Sequence, residues 1–232
     1  MKKLLALTLA GALFFALSAC GVSSAPAPTS SSSTQSVSSE AASPIEPQDL
    51  VMGTGSTGGT YFALGGAMAN AINNKLADRQ ITITAQSTGA SVENMNLINA
   101  GEMDLGIVMN NVAANGFAGI GAFTAPVTNV SSIGVVYNEV YQIVANASTG
   151  AKNVRGLKIA VGPAGSGTVG LSEKIFAAAG MDINKDIQPQ SDSFSDAATK
   201  MQDGHIDAAC NVLAVPASSI IEMTTSMNLA YV

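Results

Sequence analysis

From about residue 49 onward, apolar and polar positions follow two alternating periods along the chain. Residues 81–85 alternate apolar and polar side chains, which predicts a strand with one buried face. Residues 50–52 and 104–108 are short apolar runs and predict further strands. The positions with helical spacing in between are Leu64, Met68, Ala71, Ile72 and Leu76, then Val92, Met95 and Ile98. Strands that alternate with helices predict an α/β fold with largely parallel sheets.

The second half of the chain repeats this order of elements. Residues 158–161 predict a strand, and helically spaced Leu171, Ile175, Phe176 and Ala179 predict a helix that ends at Gly180. Ser193 and Asp196 form a capping-box-like start for a further helix. The two halves also share a junction, Gly101-x-x-Asp104 and Gly204-x-x-Asp207, before the strands at residues 104–108 and 206–209.

The repeat predicts two similar lobes, residues 49–138 and residues 139–232, joined near residues 137–141. Ligands of open α/β sheets bind at the carboxyl ends of the strands. The glycine-rich loops at residues 53–59 and 162–168 both follow a predicted strand, so we expect them to line a cleft between the lobes.

The first 48 residues predict export and a tether. Residues 1–19 have a basic start, an apolar run and a small-residue end, as in a secretory signal peptide. Leu17-Ser18-Ala19-Cys20 resembles the lipobox of bacterial lipoproteins, so we expect a lipid (palmitate-type acyl chains) on Cys20; the alternative is an ordinary signal peptide with an incidental cysteine. Residues 20–48 are rich in Ser, Pro, Ala and Thr and predict a flexible linker.

Charge and cysteine content exclude several classes of protein. The net charge is −6, and removal of Lys2 and Lys3 with the signal peptide makes the mature chain more acidic, which argues against nucleic acid as a partner. Cys210 is the only cysteine besides Cys20, so no disulfide framework is predicted despite export. Cys210 lies in an apolar run, where we expect a buried small hydrophobe.

The first glycine-rich loop is predicted to bind an anion. Gly53-x-Gly55-x-x-Gly58 matches the dinucleotide fingerprint formally, but Gln86 and Ser87 stand where an acidic ribose ligand is needed. A nest of backbone N–H groups at a helix N-terminus fits better, and the alternative is a tight turn without a ligand. The second loop lacks the lysine of a phosphate-binding P-loop.

No motif supports catalysis, a metal or a cofactor. A serine hydrolase needs a base, and the single histidine, His205, lies in an exposed-looking turn far from the serine-rich loops. No His, Cys and carboxylate cluster has metal-site spacing. We expect a binding protein without a cofactor, not an enzyme.

In these loops the chain resembles the solute receptors of the TAXI family, which bind substrates for TRAP transporters. The resemblance runs from about residue 50 to the end and is carried by residues 53–61, 88–94, 162–168, 203–208 and Val215-Pro216. It implies a two-lobed type II periplasmic-binding-protein fold and capture of a small organic anion, such as glutamate or a related carboxylate. It also implies delivery to TRAP-type membrane permease subunits, from the outer face of the cell membrane or the periplasm.

The resemblance and the loops together give the predicted ligand-binding residues. The loops contain no lysine or arginine, so we expect backbone amides and hydroxyls to bind the ligand. Tyr61 and Tyr137 are included as cleft aromatics, although packing in a core is an equal alternative. The predicted residues are Ser56, Thr57, Gly58, Gly59, Tyr61, Gly89, Ser91, Asn94, Tyr137, Ser166, Gly167 and Thr168.

The chain departs from the family pattern in three places. Met109 replaces a frequent glutamine, and Leu213-Ala214 replaces a frequent pair of glycines, both beside the expected cleft. Family members also extend further, so we expect a fold that is incomplete at the C-terminus. An alternative function is a ligand-sensing lipoprotein of a signalling system that uses the same clamshell fold.

Overall fold

The computed structural model describes residues 46–149 and 153–232, and their strands form two sheets. The predicted signal peptide, Cys20 and nearly all of the linker lie outside the described residues, so those expectations stay predictions. No helix in the described ranges is long and apolar enough to cross a bilayer.

The first sheet has three parallel strands in the order β2-β1-β3, and we call it and its helices the first lobe. Its elements are β1 (Gln48–Gly53), α1 (Thr60–Lys75), β2 (Ile81–Gln86), α2 (Ser91–Ala100), β3 (Leu105–Gly106) and α3 (Asn110–Ala118). The predictions for β1 to α2 are confirmed, and Gly101 ends α2 with a φ of 74°. The strand predicted at residues 104–108 is shorter, because it pairs with β1 only through Leu105 and Gly106 before α3 begins.

The second sheet has five strands in the order β6-β5-β7-β4-β8, and it and its helices form the second lobe. Its strands are β4 (Val140–Asn146), β5 (Lys158–Ala160), β6 (Gln188–Gln190), β7 (Ala208–Leu213) and β8 (Leu229–Tyr231). Its helices are α4 (Gly167–Ala178), α5 (Ile183–Asp186), α6 (Phe194–Gln202) and α7 (Ser218–Ser226). The sheet is mixed, because β4 runs antiparallel to both β7 and β8 while β5 is parallel to β6 and β7.

The predicted start of α6 is confirmed. The Ser193 hydroxyl accepts the backbone N–H of Asp196 at 3.1 Å and donates to Oδ2 of the same residue at 2.7 Å. A hydroxyl that satisfies one of the free amides of the first turn stabilises a helix start by about 1 kcal/mol.

The repeated Gly-x-x-Asp junction has the same structural role in both lobes. Asp104 Oδ2 accepts the backbone N–H of Val51 at 2.8 Å, and Asp207 Oδ2 accepts the backbone N–H of Lys158 at 2.8 Å. Each carboxylate thus ties the loop before its own strand to a parallel neighbouring strand. The preceding glycines, Gly101 and Gly204, both have a φ of 74°, which favours glycine because it has no Cβ.

Apolar clusters line both sheets, and second-lobe residues, Val212 among them, join the first-lobe cluster. Every residue of β7 is buried, and Cys210 is a free thiol with 1% exposure, which confirms the expectation of a buried small hydrophobe. Val212 of β7 packs in the cluster formed by Met52, Tyr61, Met109 and other first-lobe residues. The two lobes are therefore in direct apolar contact beneath the cleft.

Candidate functional site

A small cavity lies between the lobes, where the loops after β1, β2 and β5 meet. It encloses about 20 Å³, which is room for a water molecule and not for a solute of amino-acid size. First-lobe residues on its wall are Gly55, Ser56, Gly59, Thr60, Tyr61, Ala90, Ser91 and Met109. The remaining wall residues are Glu139, Ser166, Gly167, Thr168, Phe194, Val212 and Leu213. A solute can therefore enter only when the two sides of the cavity move apart.

Two serine hydroxyls on this wall have no hydrogen-bond partner within the described protein. Ser56 Oγ and Ser166 Oγ are both buried and unpaired, one from each lobe. An unsatisfied buried hydroxyl costs roughly 1–3 kcal/mol. The cavity therefore carries two polar groups whose hydrogen bonds are left for an occupant.

Two helices begin at the cavity without a side-chain cap. Gly59 precedes α1 and Ser166 precedes α4, and neither cap residue makes a side-chain hydrogen bond to its helix. The first amides of a helix have no intrahelical acceptor and carry a partial positive charge, so such a start attracts anions. Since no lysine or arginine is among the wall residues, amides and hydroxyls are the donors available here.

The start of α2 is occupied by the protein itself. The backbone N–H groups of Val92 and Glu93 donate to the carbonyl oxygen of Gly165 at 2.9 and 3.2 Å. Ser91 Oγ accepts the backbone N–H of Met109 at 3.0 Å, and Glu93 Oε2 accepts that of Gly89 at 2.8 Å. A carbonyl oxygen of the second lobe thus occupies the first amides of α2, in the region where Gly89, Ser91 and Asn94 were predicted to contact a ligand.

Glu139 lies on the cavity wall between two tyrosines. The Tyr137 hydroxyl donates to Glu139 Oε1 at 3.1 Å, and the rings of Tyr61 and Tyr137 pack edge to face with centroids 6.1 Å apart. Burial raises the pKa of Glu139, and hydrogen bonds with both tyrosines oppose that rise. Burial, with the charge of Glu139, also raises the pKa of Tyr61, so both tyrosines stay protonated donors.

The structure brings together only part of the predicted ligand-binding set. The predicted residues on the wall are Ser56, Gly59, Tyr61, Ser91, Ser166, Gly167 and Thr168. Thr57 and Gly58 instead face the second lobe, where Thr57 Oγ1 lies 3.5 Å from Ser195 Oγ and a Cβ on Gly58 would lie 2.5 Å from that atom. Gly89 also faces the second lobe, because a Cβ on it would lie 2.5 Å from the carbonyl oxygen of Ala164. Tyr137 is not on the wall, but it contacts the wall residues Tyr61 and Glu139.

Asn94 has a structural role away from the cavity wall. Its side chain is fully buried, with Nδ2 donating to the carbonyl oxygens of Gly53 at 3.2 Å, Thr54 at 2.9 Å and Ile107 at 2.9 Å. Its Oδ1 accepts the Thr88 hydroxyl at 2.7 Å. The amide therefore joins the loops after β1, β2 and β3, and no atom of it is left for a ligand.

Glu139 and the apolar wall residues Phe194 and Val212 were not predicted from the sequence. Thr60 Oγ1 accepts the backbone N–H of Ala214 at 3.1 Å and so contacts the second lobe. The departures at Met109 and Leu213 do border the cavity, as expected. An acid two residues from a tyrosine in the connection between the lobes was the available signal for Glu139.

Comparison with known proteins identifies the fold and a family. A sequence profile of the NMT1-like family matches residues 52–232. The alkanesulfonate-binding protein SsuA from Xanthomonas axonopodis pv. citri, bound to MOPS, is similar with 19% identity and a TM-score of 0.53, over 80% of this chain and 61% of that one.

Two further solved structures share the fold. One is a protein assigned to L-cystine ABC transport in Listeria monocytogenes, with 16% identity and a TM-score of 0.55 over 80% of this chain and 77% of that one. The other is the binding protein of an ABC phosphonate transporter from Pseudomonas aeruginosa, with 12% identity and a TM-score of 0.55 over 80% of this chain and 64% of that one. This chain thus spans about three fifths of the length of the alkanesulfonate- and phosphonate-transport proteins. The two-lobed α/β fold of periplasmic binding proteins is therefore confirmed, and the names of these relatives describe transport and binding rather than catalysis.

Proposed function

The chain belongs to the NMT1-like family, and from that premise we propose that it is an extracytoplasmic solute-binding protein that captures a small organic anion for a membrane transporter. One observation carries the proposal. Two unpaired buried hydroxyls and two uncapped helix starts, from opposite lobes, meet at a single cavity. These donors suit a carboxylate or a similar oxyanion.

The absence of a lysine or arginine on the wall favours moderate over very tight binding. Each neutral hydroxyl contributes about 0.5–1.5 kcal/mol to such a contact, and up to ~3 kcal/mol when its acceptor is charged. The same arrangement favours an oxyanion small enough to be enclosed, because amides at helix starts act only at short range. Closure over the solute would exclude water and strengthen these hydrogen bonds.

The proposal has a direct test in the two serines. Ser56→Ala and Ser166→Ala should each weaken solute binding about tenfold, since ~1.4 kcal/mol corresponds to a factor of ten. Isothermal titration with a panel of amino acids, keto acids and dicarboxylates measures this on the purified protein. Ser132→Ala, an exposed serine outside the cavity, is the matched control and should bind like the unmodified protein.

A second measurement separates binding from structure. Removal of an unpaired buried hydroxyl should leave the free energy of unfolding of the ligand-free protein unchanged or raise it, because the variant no longer buries an unsatisfied group. A serine that serves the fold would lower stability and binding together. If Ser166→Ala loses stability and keeps its affinity, the cavity is not the binding site.

The finer class of transporter follows from the motifs quoted above. We propose a TAXI-type receptor that delivers a glutamate-like amino acid or a related carboxylate to TRAP-type permease subunits. The solved relatives are named for ABC transport, so the TRAP assignment rests on the glycine-rich loops at residues 53–61 and 162–168 and on residues 88–94.

We further propose that a lipid on Cys20 anchors the protein at the membrane, from the lipobox-like sequence that ends there. A pair of acyl chains anchors stably, whereas one chain binds a membrane only marginally. Cys20→Ala should move most of the protein from the membrane fraction to the soluble fraction, or leave it unprocessed. Quantitative immunoblotting of both fractions measures the shift, and equal partitioning of the two forms contradicts the anchor.

A further inference from the structure

Glu139 is a carboxylate on the wall of a cavity whose other polar groups are suited to an anion. It is half-buried, and none of the ion pairs among residues 46–149 and 153–232 includes it. The recorded donors around it are neutral tyrosine hydroxyls, Tyr137 at 3.1 Å and Tyr61. The described residues therefore supply hydrogen bonds to this carboxylate but no countercharge.

A carboxylate withdrawn from water without a cation is unfavourable, and such groups are normally paired or protonated. The Tyr137 hydroxyl needs an acceptor, which Glu139 supplies, but a neutral acceptor would serve equally well, so the tyrosines do not account for a charge here. Burial raises the pKa of Glu139, which is the expected consequence of a missing countercharge. An occupant of the cavity can supply that charge.

The two kinds of polar group on the wall favour solute groups of opposite charge. Ser56, Ser166 and the start of α4 offer donors to an oxyanion, whereas Glu139 repels one and attracts a cation. A solute that carries only negative groups suits the donors but is repelled by Glu139. A zwitterion suits both, with its carboxylate at the donors and its ammonium at Glu139.

Resting on the proposed function, we propose that Glu139 is the specificity-determining residue for the ammonium group of an amino-acid-like zwitterion. Tyr137 and Tyr61 hold the carboxylate in place through their hydroxyls. The solute class is therefore α-amino acids and related amines, rather than dicarboxylates or keto acids of the same size.

The test compares solutes in matched pairs that differ only in the amino group: L-glutamate with glutarate, L-alanine with propionate, and L-leucine with 4-methylvalerate. The proteins are the unmodified chain, Glu139→Gln and Glu102→Gln. The glutamine keeps the shape of the side chain and an oxygen that accepts from Tyr137, while Glu102 is exposed and outside the cavity. Isothermal titration gives all affinities, and thermal melts confirm that each variant is folded.

We expect the unmodified protein to bind the amino member of at least one pair about ten- to a hundredfold more tightly than its deaminated partner. Glu139→Gln should remove this preference mainly by weakening the amino member, and Glu102→Gln should keep it. If pairs bind without preference, or if Glu139→Gln retains the preference, the ammonium site is wrong while the proposed function stands. If no member of any pair binds, the ammonium site is wrong, and the proposed function is wrong as well if the wider panel of keto acids and dicarboxylates also fails to bind.

Discussion

The Asn94→Asp protein is expected to lose about 3–5 kcal/mol of unfolding free energy at neutral pH. The substitution keeps the shape of the side chain but turns the donor Nδ2 into an oxygen that faces the carbonyl oxygens of Gly53, Thr54 and Ile107. An ionised carboxylate there meets three acceptors in a fully buried place, and a protonated one can donate to only one of them.

Urea denaturation at two pH values measures the effect and its cause. Burial would raise the pKa of the introduced carboxyl, so its cost is largest at high pH and shrinks as the pH falls and the group takes up a proton. Asn96→Asp is the matched control, because it makes the same chemical change at an exposed position of the same helix. That control should stay within about 0.5 kcal/mol of the unmodified protein. Equal stability of the two variants would show that the Asn94 amide does not hold the three loops together.

Gly89→Val is expected to reduce solute affinity by about a hundredfold or more. A Cβ on Gly89 would lie 2.5 Å from the carbonyl oxygen of Ala164, a backbone atom of the opposite lobe that cannot turn aside. Overpacking of this kind costs about 1–3 kcal/mol and sometimes more, and ~1.4 kcal/mol is a factor of ten in affinity. The alternative cause of such a loss is a clash of the new side chain with the bound solute itself.

Small-angle scattering on the Gly89 variant, with a matched control, distinguishes these explanations. Small-angle scattering should show a larger radius of gyration than that of the unmodified protein, because the variant cannot bring its lobes together. Gly134→Val introduces the same side chain where no atom lies within 4 Å of the new Cβ, and its binding and dimensions should be unchanged. Normal affinity in Gly89→Val would contradict the proposed closure.

Much of the fold could be predicted because its signals are local. The alternation at β2 and the cap at Ser193 each lie within a few residues, and both elements formed where expected. Helix α3 gave no such signal, since it is short, contains Gly116 and buries only Val112 besides that glycine. Strand β4 was not predicted, because the pairing that forms it is with a strand far along the chain. Its residue Gln142, for example, pairs with Asn211.

The site was predictable where it depends on loops at strand ends and not where it depends on contacts across the chain. Ser56 and Ser166 lie on the cavity wall because each follows the carboxyl end of a strand, β1 in the first sheet and β5 in the second. Asn94 follows a Thr-Gly loop, and from the sequence it was therefore predicted to contact the ligand. Its amide instead donates to Gly53 and Ile107, which lie far from it in sequence. The Asn94 amide also explains why residue 53 is a glycine, because a Cβ there would lie 2.4 Å from Asn94 Oδ1. That glycine makes room for a buried amide rather than for a phosphate.

The carbonyl oxygen of Gly165 has a consequence for the residence time of a bound solute. Release requires the lobes to part, and the hydrogen bonds from Val92 and Glu93 to Gly165 must break at that moment. At about 0.5–1.5 kcal/mol each, the pair slows dissociation by roughly one order of magnitude or more. Since all three groups are main-chain atoms, substitutions on the cavity wall can change which solute is selected while this contribution to the dissociation rate stays constant.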